Sequence, residues 1–360
     1  MDNKLKRLLL HALQCRRQSQ QGPTDSGFTL TELLIVVIIG GLIVSTLMGL
    51  VVELVATEQR ESARTETERE MQLAMDYITS DLRQAVYVYD GKPQRIVAGV
   101  SETDSYQDYL PNDIKNAAIK PALAFWKPKP FDPEAEGIPG YKAAGCDGLA
   151  NDALEKECNN LWLQRRTYTL VAYLQVPNDP NDGRWKGRSR IVRYELNKYE
   201  NPKTFKRNKG YVDPGELGTG GFVNWPLNAD GLNCQTNACG RPTAPPGAPE
   251  NGAELVTLVD FVDVSDRPLP NGQPTPQCQG YNAAQPENSD YLMQPRNTTA
   301  NAPAFYTCIG NANAEGTSQD IQIYLRGNAK GRGSSADRPI SPIQTRLTMR
   351  GVIDKTILGR

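Results

Sequence analysis

The sequence predicts an α+β protein in which a long N-terminal helix packs on an antiparallel β-sheet with long, disulfide-tied loops. Three observations predict it. Leu33 to Val52 is a run of 20 residues without a charge; Met71, Met75, Ile78 and Leu82 follow at helical spacing; and several β-rich segments and six cysteines lie beyond residue 90.

Residues 1–27 carry Lys4, Lys6, Arg7, Arg16 and Arg17 against Asp2 and Asp25. A basic flank holds its end of a membrane helix in the cytoplasm, which places the rest of the chain outside. The uncharged run follows at once. As a helix it covers roughly 30 Å, the thickness of a bilayer's hydrocarbon core, so it is long enough to span one. Its expected surroundings are lipid and other helices. Gly41, Ser45 and Gly49 recur every four residues on one face and leave room for a second helix backbone to approach closely. Just ahead of the run stand a small residue, Gly27, an aromatic, Phe28, and a lone acid, Glu32. A carboxylate beside a membrane span is costly to bury and calls for a partner.

The helical pattern continues past the span. No proline occurs between Pro23 and Pro93. The stretch from Glu53 to Glu70 is rich in charge, and the stripe of Met71, Met75, Ile78 and Leu82 then marks one apolar face. Asp90-Gly91 followed by Lys92-Pro93 is the expected stop. The chain so far divides into 1–27, a span at 28–52 and a helical continuation at 53–90.

Residues 91–360 are ample for one globular, β-rich domain. In Arg166 to Val176, the residues Tyr168, Leu170, Ala172, Leu174 and Val176 share a face; Ser189–Lys198, Glu254–Val264, Asp320–Arg326 and Ile343–Arg350 have similar β-rich patterns. Asn178 to Gly183 reads as the turn between the first two. The stretches 200–252 and 265–318 read as long loops, which in a compact domain need to be functional or tied down. Cys146, Cys158, Cys234, Cys239, Cys278 and Cys308 supply the ties, since an even number in an oxidising compartment favours disulfides. Sequence leaves the connectivity open; nearest-neighbour pairing closes the shortest loops.

Composition excludes several chemistries. The single histidine, His11, lies in 1–27, so no His-based catalytic arrangement and no Cys/His zinc site is expected beyond it. No metal, no cofactor and no enzymatic activity are expected. Asn178, Asp179, Asn181 and Asp182 offer oxygens but not in EF-hand order, and read as a solvated turn. Arg326, Lys330, Arg332 and Arg338 form a basic cluster around a Gly-Ser-rich loop that could touch DNA phosphates or acidic polysaccharide, and that a flexible surface hairpin explains equally well. Of 40 basic and 41 acidic residues, 5 and 2 lie in 1–27, which leaves 35 and 39 and a net charge of about −4. That balance argues against a nucleic-acid partner.

The order Gly27, Phe28, Glu32 and apolar run resembles the N-terminus of type IV prepilins and type II secretion pseudopilins. The resemblance implies cleavage between Gly27 and Phe28 by a prepilin peptidase, methylation of Phe28, and pairing of Glu32 with the Phe28 amine of a neighbouring subunit. It implies a pilin-like fold, other pilins and an inner-membrane assembly platform as partners, and a single-pass protein whose C-terminal domain is extracytoplasmic. Many major pilins have proline at the twenty-second mature position, where this chain has Gly49. Ala74 to Asp90, A-M-D-Y-I-T-S-D-L-R-Q-A-V-Y-V-Y-D, is similar to the helix end of minor pilins of the PilW and J-pseudopilin kind. With P-A-L-A-F-W-K at 121–127 it looks most like cyanobacterial hormogonium polysaccharide secretion pseudopilins, which implies a role in polysaccharide export and gliding motility. Adhesion, twitching, DNA uptake and protein secretion are the other roles such subunits serve.

Overall fold

The computed structural model describes residues 27–91, 106–111, 114, 119–132, 134, 136–138, 141–142, 145–146, 149, 152–218, 221–228, 232–234, 253–264, 278–282, 289–296, 303–310, 319–332, 337 and 339–349. The chain divides into two compact units, residues 1–58 and 59–360. Helix α1 (Leu30–Leu82) contributes to both. Within the first unit no described side chain is buried, and the most apolar 18-residue window of α1 has a mean hydropathy of 2.8.

In the second unit the stripe read from the sequence becomes the core face of α1. Met71, Met75, Ile78 and Leu82 are almost wholly buried, joined by Ala63, Thr67 and Ala74. They pack on two antiparallel sheets. The larger has the order β1 (Tyr87–Val88), β2 (Lys120–Pro130), β5 (Arg166–Pro177), β6 (Ser189–Leu196) and β9 (Ala253–Val262). The smaller runs β10 (Tyr291–Gln294), β11 (Phe305–Gly310), β12 (Gln319–Leu325) and β13 (Ile343–Met349). Leu123, Phe125, Val171, Tyr173 and Ile191 of the first sheet meet Phe305, Ile309, Ile321 and Ile323 of the second beneath the α1 stripe. On the opposite face of the larger sheet, Trp126, Leu170, Ala172, Leu174 and Tyr194 are covered by Tyr211 and Trp225. Strand β5 is therefore buried on both faces, which explains why its alternation of apolar residues is filled in by Val171 and Tyr173.

Three differences from the sequence reading have physical causes. Helix α1 ends at Leu82, before the stop expected at Asp90-Gly91. Its last turn tightens through Gln84 N–H to Asp81 O and Ala85 N–H to Leu82 O, and Val86 N–H then donates to Trp126 O, so the β-rich Val86–Tyr89 joins the sheet. Strand β2 forms despite Pro121, Pro128 and Pro130, because β1 and its flanking residues bond that edge only from Ala124 to Trp126, away from the three prolines. The regions read as loops hold further elements: the ribbon β7 (Tyr199–Asn201) and β8 (Lys206–Arg207), the short helix α3 (Gly221–Asn224), and strands β10 and β11.

A satellite lies beside the larger sheet. Strand β3 (Tyr141–Lys142) pairs with β4 (Gly145–Cys146), and helix α2 (Asp152–Gln164) follows. Cys146 is bonded to Cys158 of α2, and Cys278 to Cys308 of β11. Cys234 is also disulfide-bonded; Cys239 lies outside the described residues.

Two buried charge networks hold these parts together. Asp81, in the last turn of α1, sits where the helix dipole disfavours an acid. Lys127 Nζ of β2 lies 2.6 Å from its Oδ1, Arg193 Nε of β6 2.9 Å from its Oδ2, and the Tyr173 hydroxyl donates to Oδ2 at 2.8 Å. Burial alone would raise the Asp81 carboxyl, but the hydrogen bonds from Arg193, Lys127 and Tyr173 outweigh it and hold it below the usual range. In the second network Lys198 Nζ lies 2.7 Å from Asp213, 2.8 Å from Glu157 of α2 and 3.0 Å from Glu216, while Arg207 of β8 binds Glu216 at 2.6 Å and Glu157 at 3.2 Å. Desolvation opposes ionisation of Glu216, yet Lys198 and Arg207 bring its pKa down to about 2.

Removing one partner of such a network leaves the others buried and uncompensated. Asp81→Ala is expected to cost about 3–5 kcal/mol in denaturant unfolding of the detergent-solubilised protein; a loss below about 1 kcal/mol would contradict the anchoring role. The pH dependence has a definite sign. Carboxyls whose pKa is depressed on folding stabilise above their unfolded value of about 4 and lose that stabilisation as pH falls through the folded value. The thermal midpoint should thus hold steady near neutrality, drop between about pH 4.5 and 2, and drop less at the low end in Glu216→Gln.

Candidate functional site

The functional candidate is the N-terminal stretch from Gly27 through Val52. Helix α1 starts at Leu30 because Thr29 and Glu32 cap each other. The Thr29 amide donates to Glu32 Oε2 at 3.2 Å, the Glu32 amide donates to Thr29 Oγ1 at 3.3 Å, and the Thr29 hydroxyl lies 3.1 Å from Glu32 Oε2. This is a capping box, in which two backbone N–H groups left over at the start of a helix are satisfied reciprocally. An acid in the first turn also suits the positive end of the dipole. Glu32 thus has a partner within its own chain. The signature Thr29-Leu30-Thr31-Glu32 was present in the sequence, which was read for the acid and not for its threonine.

Beyond the cap the helix presents an unbroken apolar surface. From Leu33 to Val52 every side chain is exposed apart from the half-exposed Gly40. The one polar side chain with a resolved bond within that run is satisfied locally, since Thr46 Oγ1 donates to Leu42 O and Ile43 O at 3.1 and 2.9 Å. Gly41, Ser45 and Gly49 do share a face, where with Val44, Met48 and Val52 they line a shallow groove. A Cβ added at Gly41 or Gly49 would meet nothing within 4 Å.

The remaining candidates resolve differently. The basic cluster is mostly neutralised internally: Arg326 is buried 3.0 Å from Asp263, Lys330 lies 3.6 Å from Asp337, and Arg332 binds Glu70 of α1 while stacking over Phe261 at 4.3 Å. Arg338 lies outside the described residues. That cluster holds its own loop against the helix, and Gly327 lets it come close, since a Cβ there would stand 2.5 Å from Met71 Sδ. In the β5–β6 turn, Asp179 Oδ1 accepts from the Asn181 amide at 2.9 Å, Asp182 pairs with Arg184 at 3.0 Å, and Asn178 Oδ1 accepts from Arg190 at 2.6 Å. These oxygens serve turn geometry. Among the described residues no group of three or more His, Cys, Asp or Glu is placed to hold a metal ion. Helix α2 carries Leu154, Cys158 and Leu161 at spacings of four and three, a signal that would have revealed it.

Comparison with known proteins agrees with where the geometry points. Residues 23–48 match the family model of the prokaryotic N-terminal methylation motif. This supports a type IV prepilin-like protein. No curated protein matches the chain, and neither does any solved structure. The pilin motif suggests a structural subunit in place of an enzyme, and implies association with other pilins and with a prepilin peptidase. With the long apolar helix, it fits a membrane-anchored protein.

Proposed function

We propose that this chain is a minor pilin or pseudopilin that joins a type IV pilus-like or type II secretion-like machine and supports polysaccharide export and gliding motility. The observation that carries the subunit role is the methylation motif at 23–48 overlapping the capped start of an exposed apolar helix. In this reading a prepilin peptidase cuts between Gly27 and Phe28, residues 1–27 leave, and Phe28 is methylated. An ordinary secretory signal has its cleavage site after the apolar segment and loses it. Here the site precedes the segment, so the mature protein keeps its single span in the inner membrane and its C-terminal domain outside. Gly41, Ser45 and Gly49 give neighbouring helices a close approach. The polysaccharide role rests on the likeness of 74–90 and 121–127 to the export pseudopilins.

The capping box refines the part of Glu32. Its carboxylate is held by its own Thr29 in the single chain, and on assembly it would turn to the Phe28 amine of the next subunit. Mass spectrometry of the mature N-terminus tests processing, with methylated Phe28 as the expected first residue; a terminus at Met1 or beyond Val52 would sink the proposal. Glu32 is tested by two variants, because alanine removes cap and charge together. Glu32→Gln keeps the hydrogen-bonding shape, and both Glu32→Gln and Glu32→Ala are expected to be inserted and processed yet to lose at least about tenfold in crosslinking to other pilins, as for a broken buried pair. Normal assembly of Glu32→Gln would show that the charge is not needed.

A further inference from the structure

The edges of the two sheets are unequally protected. Unpaired strand edges invite pairing with other chains, and native proteins blunt them with short strands, charges or covering segments. Strand β1 has two residues and β10 has four. Strand β13 is longer but turns Gln344, Arg346 and Thr348 outward, with Arg346 paired to Asp320 at 2.7 Å. The second half of β9 is engaged on its outer side: Val262 bridges Gly327, Asp263 N–H donates to Arg326 O, and Asn328 N–H donates to Phe261 O. The first half, from Ala253 to Val259, has no covering segment among the described residues. Among the described residues it pairs with β6 alone. Leu255 is 57% exposed and Val256 38%, and in an extended strand these two lie on opposite faces. Glu254 is the only charge in that stretch.

We propose that this half of β9 is a pairing edge for a second copy of the same chain. The sequence A-E-L-V-T-L-V is compatible with itself when two copies run antiparallel about Val256. Val256 then faces Val256, Leu255 faces Thr257, Glu254 faces Leu258 and Ala253 faces Val259. No two like charges oppose each other, and the two glutamates fall at opposite ends of the ladder. Slipping the register by one residue sends the side chains of one copy to the wrong face, so the nearest competing registers are two residues away. A contact of this kind is isologous, with the same patch on both copies, and closes on itself. It is therefore distinct from the head-to-tail helix contact proposed above and does not rest on it. A single strand pair buries less than the roughly 1,200 Å² at which stable complexes begin. The pairing is accordingly a weak one, best caught covalently.

The test uses the full chain in detergent micelles, oxidised with copper phenanthroline. Directly opposed residues of an antiparallel pair have Cα atoms about 4.5–5.5 Å apart, within disulfide reach. Val256→Cys is expected to form at least about five times more covalent dimer than Asn181→Cys on the exposed β5–β6 turn, and adding Leu255→Lys should remove the excess. A register check keeps the test decisive should Val256→Cys fold poorly: mixed Leu255→Cys and Thr257→Cys chains should crosslink to each other more than either does to itself. Equal crosslinking at 256 and 181, persistence of the dimer with Leu255→Lys, self-crosslinking in place of the mixed pair, or crosslinking of residue 256 only to a different protein would each overturn the proposal.

Discussion

The second unit depends on a single acid at the end of a helix. Asp81 closes α1 where the dipole resists it, and the cations that compensate come from β2 and β6, two strands separated by β5. The Tyr173 hydroxyl supplies the bond from β5 itself. One carboxylate thereby fixes the helix end against three adjacent strands and sets which side of α1 faces down. The stripe of Met71, Met75, Ile78 and Leu82 then falls over the seam where the two sheets meet. Arg193 continues the chain of charges to Glu195 and Lys129. The apolar contacts supply most of the driving force here, and the charges supply the direction.

How much of this was legible depended on how local the cause was. The apolar run and the stripe are periodic patterns within one helix, and both were read correctly from spacing alone. The same holds for β5, β6, β9, β12 and β13, whose β-rich segments are long enough to announce themselves. Strand β2 was hidden by three prolines, which rule out a strand bonded along both edges but not one whose outer neighbour is two residues long. Strand β10 has four residues and β11 six, too few for a pattern to stand out from loop. The end of α1 at Leu82 has no glycine or proline to mark it; it is set by Trp126 O, more than 40 residues away in sequence, accepting from Val86. The internal pairing of the basic cluster was hidden for a similar reason. Two of its partners, Asp263 and Glu70, come from other segments, and only Asp337 lies within the cluster's own stretch, so its charge is mostly spent in the fold.

At the N-terminus the apolar helix and the methylation motif were legible, because both are written in consecutive residues. What the sequence reading missed was the double meaning of those residues. Glu32 was read as a carboxylate in search of a partner, whereas Thr29 had already provided one.

The capping box bears on how easily a subunit could leave a filament as well as enter it. A carboxylate without a partner would gain the whole of a new ion pair on joining, and would hold on accordingly. If it pairs on assembly as proposed, Glu32 would exchange one set of hydrogen bonds for another, and so gain only the difference between them. Under the proposed role, the reciprocal Thr29–Glu32 pair acts as a counterweight: it lowers the free energy of the waiting subunit in the membrane toward that of the assembled one. A structure balanced in this way can be extended and withdrawn by a modest input of work.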